Sequence, residues 1–396
     1  MQYAFSNRIR ALKPSAIREI LKATQDPDAI SFAAGSPASE AFPAEAMRGF
    51  ASEILRDMPA AALTYGVTEG YTPLREAVTR RMQEKYATGS ADDDILIVTG
   101  GQQGIELFSK CVLNEGDTVI SEAPSFVGAL NAFRSFAANI VGVPVEEDGM
   151  DIAALERALS ENPNTKFIYV IPTFQNPSGR VTSLAKRRAI LELAHRYDVL
   201  ILEDNPYFEL RYSGEAVPTI KSLDTEGRVV YCGSFSKILS PGIRIGYVIA
   251  GRELINKMTV AKQVSDVHTN LVFQMVAHKM MTEFDLEAHI AWLCGLYKEK
   301  RDAMTAAIRR ALPGTTFVEP EGGLFLWLKL PDCVSGAAFA RACAARGVMC
   351  VPGATFLTDE NAPCPYVRLN FSTPSIGQIE KGIEIMGGVA CEFGIR

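Results

Sequence analysis

Between Ile95 and Ala250 the chain repeats one pattern: a short apolar run rich in β-branched residues, a turn carrying glycine or proline, then a stretch of helical periodicity. The strand-like runs are Ile95–Thr99, Thr118–Ser121, Ile140–Val143, Phe167–Ile171, Val199–Glu203, Val229–Gly233 and Tyr247–Ala250. Helical patterns fall between most of them, among them Gln102–Val112, Phe126–Phe136, Ser183–Tyr197 and Arg252–Met281. Runs this apolar have no water-facing side. Separated by helices, they dictate an α/β architecture: a mostly parallel, seven-stranded sheet covered on both faces. Such a sheet places a ligand in the crevice outside the C-terminal ends of its strands.

The flanks read differently. Residues 1–30 form an arm, with a short amphipathic helix after Pro14, capped by Ser15 and apolar at Ile17, Ile20 and Leu21. Ile30–Pro37 is a brief strand running into a Gly/Pro turn, either a plain loop or backbone passing close to a ligand. Helices follow at Ala44–Met58 and Pro73–Tyr86, around a glycine-punctuated loop, Leu63–Tyr71, with two tyrosines. Beyond a helical stretch at Asp285–Leu312 come short strands, Thr316–Val318, Leu324–Leu328, Val348–Val351 and Val367–Phe371, with helices Ser335–Arg346 and Ile376–Met386 among them. This is an α+β pattern and predicts a smaller second domain. The expected division is 1–43 as arm and part of the small domain, 44–284 as the large domain, and 285–396 as the small domain.

At 396 residues the chain is long enough for that division. A net charge of −6 offers no basic footprint for nucleic acid. No apolar run has the length to span a bilayer, and the first residues lack the apolar core of a signal peptide. The 8 cysteines are scattered, with no C-x-x-C and no metal-like grouping with the 4 histidines. They read as reduced thiols of a cytoplasmic protein.

What stands after each strand decides the chemistry. Ile95–Thr99 is followed by Gly100-Gly-Gln-Gln-Gly104 and a helix. Glycines allow close backbone approach, and a helix N-terminus offers free N–H groups, so this is a phosphate seat or simply a tight βα turn. Phe126, after Thr118–Ser121, either lies on a planar ligand or fills core. Asn176, after Phe167–Ile171, is an Asx-turn residue or an amide donor to a phenolate oxygen. Asp204, after Val199–Glu203, is partly desolvated and wants a cation, be it a protonated pyridine nitrogen or a structural arginine. Tyr207 can turn its hydroxyl to the same cleft. Ser234-Phe-Ser-Lys237 follows Val229–Gly233, and a lysine in an apolar cleft has a depressed pKa, so its amine can attack a carbonyl to form a Schiff base. Ser234, Ser236, Ser240 and Arg244 suit a phosphate. Aldehyde and phosphate in one planar ligand describe pyridoxal 5′-phosphate, whose marks include a Schiff-base lysine and an acid for the ring nitrogen. Arg368 is a cation inside the apolar strand Tyr366–Phe371, at a strand edge on the surface or in a site.

With S-F-S-K-x-x-S-P-G-x-R-x-G at Ser234–Gly246, Q-N-P-S-G, E-D-N-P-Y and V-P-G at Val351–Gly353, the chain resembles the fold-type I, class I/II aminotransferases. The resemblance runs from Ser15 through Arg368 and is nearest to the 2-aminoadipate, kynurenine and multi-substrate aromatic or branched-chain subgroup. It implies that Lys237 carries the cofactor and shuttles a proton. Asp204 would pair with the pyridine nitrogen, Asn176 and Tyr207 would hold the ring oxygen, and Phe126 would stack on the ring. Gly101, Gln102, Ser234, Ser236 and Arg244 would hold the phosphate. Tyr65 would reach the phosphate of the other subunit's site, making a homodimer the active unit. Arg368 would grip the substrate carboxylate, Gly35 would line the substrate pocket, and Arg18 would cap an acidic substrate side chain. The family often has Tyr at the place of Phe126 and Ser at that of Gly101. Stacking and a backbone N–H survive both changes.

The implied reaction is ping-pong transamination between an L-amino acid and a 2-oxo acid, 2-oxoglutarate. The alternatives are β-elimination on the same fold and a regulator's sensor domain. The regulator needs a helix-turn-helix unit ahead of the first helix, for which the preceding residues are too few.

Overall fold

The computed structural model describes residues 3–10, 12 and 29–395. The expected helix after Pro14, and Arg18 on it, lie outside the described residues.

The central sheet runs, edge to edge, Asp93–Val98, Gly246–Gly251, Val229–Ser234, Leu200–Asp204, Thr165–Val170, Thr118–Ala123, Asn139–Glu146 and Gly149–Met150. Among the described residues it has 8 strands, one more than expected. The extra one is the two-residue Gly149–Met150, which pairs antiparallel with Asn139–Glu146 at the edge and is too short to show a period. Five central strands, from Asn139–Glu146 to Val229–Ser234, are parallel. Gly246–Gly251 is antiparallel to both neighbours. The link Phe235–Ile245 contains no crossover helix, so the chain can only turn back beside the strand it has just left.

Alternation sorts the strand residues. Phe167, Tyr169 and Ile171 face one layer, with Phe108 and Phe133 of helices Gly101–Val112 and Val127–Ser135. Ile168 and Val170 face the other, with helices Ile152–Glu161 and Leu184–Arg196. The rings of Phe108 and Phe133 meet Phe167 edge-on at 4.9 and 5.3 Å.

The stretch Arg252–Met281 is two helices, Arg252–Gln263 and Leu271–Thr282. Asn270 caps the second, accepting from Phe273 N, and Val267 between them has φ +66°. The expected strand Thr316–Val318 reduces to a single bridge, Thr316 to Lys329. Val348–Val351 divides at Cys350. Val348–Met349 pairs parallel with Ile30–Ser31, whereas Val351–Pro352 joins an antiparallel sheet with Tyr366–Asn370 and Phe325–Lys329. The segment after residue 29 is thereby stitched to the late part of the chain. The long helix Leu286–Ala311, capped by Asp285, and Ile376–Glu392, opened by a Ser375–Gln378 capping box, pack behind these strands. No helix among the described residues is long and apolar enough to cross a membrane.

Candidate active site

The C-terminal strand ends open onto a cavity of about 260 Å³, shared with the Gly35 loop and the strands bearing Phe325 and Arg368. Twelve of the expected residues line it: Gly35, Gly101, Gln102, Phe126, Asn176, Asp204, Tyr207, Ser234, Ser236, Lys237, Arg244 and Arg368. Tyr65 does not. That residue is 83% exposed, packs its ring edge-on against His268 and borders a separate open groove.

Lys237 donates from Nζ to Gly35 O at 2.7 Å and lies 5.9 Å from the centre of the Tyr207 ring. Burial, with Arg368 and Arg244 nearby, pushes its pKa down to about 8, against the pull of Asp204. Asp204 accepts from Tyr169 Oη at 2.7 Å. Burial raises its pKa to about 6, and the Tyr169 hydrogen bond and Lys237 oppose that rise. Tyr207 stands edge-on to Phe325, and burial pushes its hydroxyl well above the usual phenol range.

Arg368 is 2% exposed and its strand register places it opposite Trp327 and Val351. Nη1 donates to Asn176 Oδ1 at 3.1 Å and Nη2 to Ala33 O at 2.7 Å, while Nε has no partner among the described residues. The guanidinium lies 4.2 and 5.0 Å from the ring centres of Phe325 and Phe356. Among the described residues no carboxylate pairs with it, and burial lowers its pKa to about 10. A buried cation in that state is a standing receptor for an anion.

The opposite end gathers donors of the kind an anion needs. Helix Gly101–Val112 starts at the cavity wall, and Gly100, at φ +76°, turns the chain into it. A Cβ on Gly100 would stand 2.4 Å from Arg244 Nη2. Ser234 and Ser236 hydroxyls lie 2.9 Å apart. Arg244, itself at φ +55°, is exposed at the mouth and braced by Thr99 O at 3.0 Å. A helix N-terminus, two hydroxyls and a guanidinium form one pole, a buried carboxylate another, and an amine lies between them. That donor set fits pyridoxal phosphate: Asp204 would suit its ring nitrogen, and Phe126 stands at the cavity wall.

Several contributors carried no local signal. Tyr169 reads as a core aromatic. Only the register, Tyr169 opposite Leu202, puts it diagonal to Asp204 on the same face. Gln175 ties Pro124 O to Ser178 N at 2.7 and 2.8 Å, and Glu122 accepts from Ile171 N at 2.9 Å, so both brace the loop that carries Asn176. Phe325 arrives from the distant strand Phe325–Lys329 and Phe356 from the short 3-10 turn Gly353–Phe356.

This sheet order, with a lysine at one strand end and an acid at the next, is the frame of the fold-type I enzymes that use pyridoxal phosphate. The chain belongs to the aminotransferase class I and II family, whose model matches residues 27–386, and it is a pyridoxal-phosphate-dependent aminotransferase. It is 41% identical over 385 residues to aromatic-amino-acid aminotransferase 1 of Thermococcus litoralis, covering 96% of this chain and 92% of that one. It is 37% identical over 392 residues to the 2-aminoadipate transaminase of Thermus thermophilus, covering 97% and 96%. Its fold superposes on the multiple substrate aminotransferase from Thermococcus profundus with a TM-score of 0.93 at 39% identity, over 98% of this chain and 97% of that one.

Proposed function

We propose that this chain moves the amino group of an L-amino acid of the 2-aminoadipate, aromatic or branched-chain type to a 2-oxo acid, 2-oxoglutarate, in a ping-pong cycle. It works in the cytoplasm as a homodimer with shared active sites. The observation that carries the reading is the meeting of Lys237, Asp204 and Arg368 in one cavity. The names of its relatives, aromatic and 2-aminoadipate aminotransferases, support the donor classes.

Bound in this cavity, pyridoxal phosphate supplies the electron sink that lets an amino acid lose its α-hydrogen as a proton. Lys237, with an amine titrating near 8, is partly neutral at physiological pH and can take and return a proton at Nζ. Asp204 presents its carboxylate to the ring nitrogen, and Asn176 and Tyr207 orient the ring oxygen. Gly101, Gln102, Ser234, Ser236 and Arg244 hold the phosphate. Arg368 takes the substrate carboxylate, which keeps the carboxylate bond away from cleavage and directs the chemistry to the proton. Gly35 borders the substrate, and Arg18 would face an acidic side chain. The exposed Tyr65 suits a reach into a partner's phosphate end. The division into an arm to residue 43, a large domain to 284 and a small domain beyond is part of the same proposal.

The test is the visible spectrum of the holoprotein. A yellow band that bleaches with an amino acid and returns with 2-oxoglutarate establishes both half-reactions and names the donor. A band that no amino acid bleaches would refute the transamination reading.

A further inference from the structure

The phosphate end of the cavity rests on a network whose own members, Lys262, Asp266, Gln103 and Thr99, do not line it. Lys262, near the end of helix Arg252–Gln263, has a side chain that is 0% exposed. Its Nζ donates to Asp266 Oδ1 and Oδ2 at 2.8 and 3.0 Å and to Gln103 Oε1 at 2.7 Å. Asp266 Oδ2 also accepts from Thr99 Oγ1 at 2.9 Å and from Gln103 Nε2 at 2.8 Å. Gln103 Oε1 closes the ring by accepting from Thr99 N at 2.7 Å. Both ends of the turn Thr99–Gln103 are therefore tied to one carboxylate. From its other side the same turn takes Arg244 Nη2 on Thr99 O at 3.0 Å.

Two backbone outliers bracket this network, Val267 at φ +66° and Arg244 at φ +55°. A β-branched residue in the left-handed region persists only where its surroundings over-determine it. Burial lowers the pKa of Lys262, against the pull of Asp266. For Asp266, burial acts upward, but hydrogen bonds from Lys262, Gln103 and Thr99 hold it below the usual carboxylate range. Lys262 is buried but the Asp266 side chain is 31% exposed, and an ion pair open to water on one side is weak support for stability in itself. Its constant product here is a fixed turn, the one that aims the first N–H groups of helix Gly101–Val112 and seats Arg244.

We propose that Asp266, anchored by Lys262, is a positioning residue for the phosphate end of the site, acting through Thr99 and Gln103 on Gly100–Gln102 and Arg244. The proposal rests on the assignment of that end to the cofactor phosphate.

The experiment measures dissociation constants of the cofactor-free protein for pyridoxal phosphate and for pyridoxal, which lacks the phosphate. Asp266→Asn is expected to weaken pyridoxal phosphate about tenfold, the order of one charge-assisted hydrogen bond, and to change pyridoxal less than about twofold. Thr99→Val removes one tie while leaving the Lys262–Asp266 pair, and is expected to weaken pyridoxal phosphate in the same selective way, with Thr99→Ser restoring it. Equal losses for both ligands, or no loss in a folded Thr99→Val protein, would overturn the proposal even if Asp266→Asn fails to fold. A wild-type protein that binds both ligands equally would instead overturn the assignment of the phosphate end, and this inference with it.

Discussion

Replacing Asp204 by asparagine separates what this residue costs the fold from what it does for the cofactor. Asp204 is 5% exposed, and burial raises its pKa from 3.8 to about 6. An acid raised on folding holds its proton more tightly in the folded chain. Its contribution is therefore most favourable below about pH 4, is lost as pH rises toward about 6, and remains a constant penalty above that. A shift of about two units, at ~1.36 kcal/mol each, sets the penalty near 3 kcal/mol, trimmed by what Lys237 loses with its counter-charge. Asparagine keeps the volume and can still accept from Tyr169. Cofactor-free Asp204→Asn is thus expected to be more stable than cofactor-free wild type by about 2–3 kcal/mol near pH 7.5. With an unfolding entropy of ~2.1 cal/mol/K per residue over 396 residues, that is about 3 °C in Tm. The gap narrows as pH falls toward 4. Melts of both apoproteins across this range measure it. If Asp204→Asn melts at or below wild type at every pH, the carboxylate is fully compensated without cofactor and the burial argument fails. The same variant is expected to bind pyridoxal phosphate more weakly, because an amide cannot offer a charge to the ring nitrogen.

Arg368→Lys loses the planar fork that an amino-acid carboxylate meets, so KM for the donor is expected to rise about 10- to 100-fold with a smaller change in kcat. Unchanged KM in steady-state assays would remove Arg368 from substrate binding. Capture of pyridoxal phosphate by the apoprotein requires the neutral amine of Lys237, so its rate is expected to climb with pH and level off above about 8. Stopped-flow absorbance gives that profile, and a flat one between about pH 6 and 9 would contradict a lysine titrating near 8. Gly100→Ala puts a Cβ at φ +76° and 2.4 Å from Arg244 Nη2. It is expected to lower stability by about 1–3 kcal/mol and cofactor affinity with it, readable from melts and titration.

The sheet was legible because period and burial agree. Strands such as Val229–Ser234 are apolar on both faces, and only a sheet covered twice accepts that. Lys237, Asp204 and Asn176 were legible because a polar group stood where such a strand stops. Tyr169 was not. Its ring fills core like any other, and the partner of its hydroxyl is set by a register between strands far apart in sequence. The small strands were legible only in part. Val348–Val351 changes sheet at Cys350, and no local pattern announces a change of partner. Gly149–Met150 is too short for any period. The Lys262–Asp266 network was hidden inside an apparent single helix, whose break depends on the Asn270 cap and on Val267 in an unfavourable conformation.

Ala33 O and Arg368 Nη2 meet across 335 residues, and Asn370 N donates to Phe32 O at 2.8 Å on the same seam. During synthesis the early partner leaves the ribosome long before the late one exists. The nascent chain can complete its large sheet, lysine and acid included, while the guanidinium is still untranslated. On the proposed roles, the residues that would hold the ring are thus made before the one that would hold the carboxylate, and the seam is a contact of high sequence separation, the kind that slows folding. Any lesion that weakens the seam at Ile30–Phe32 is expected to leave a protein that takes up colour but grips amino acids of every kind poorly.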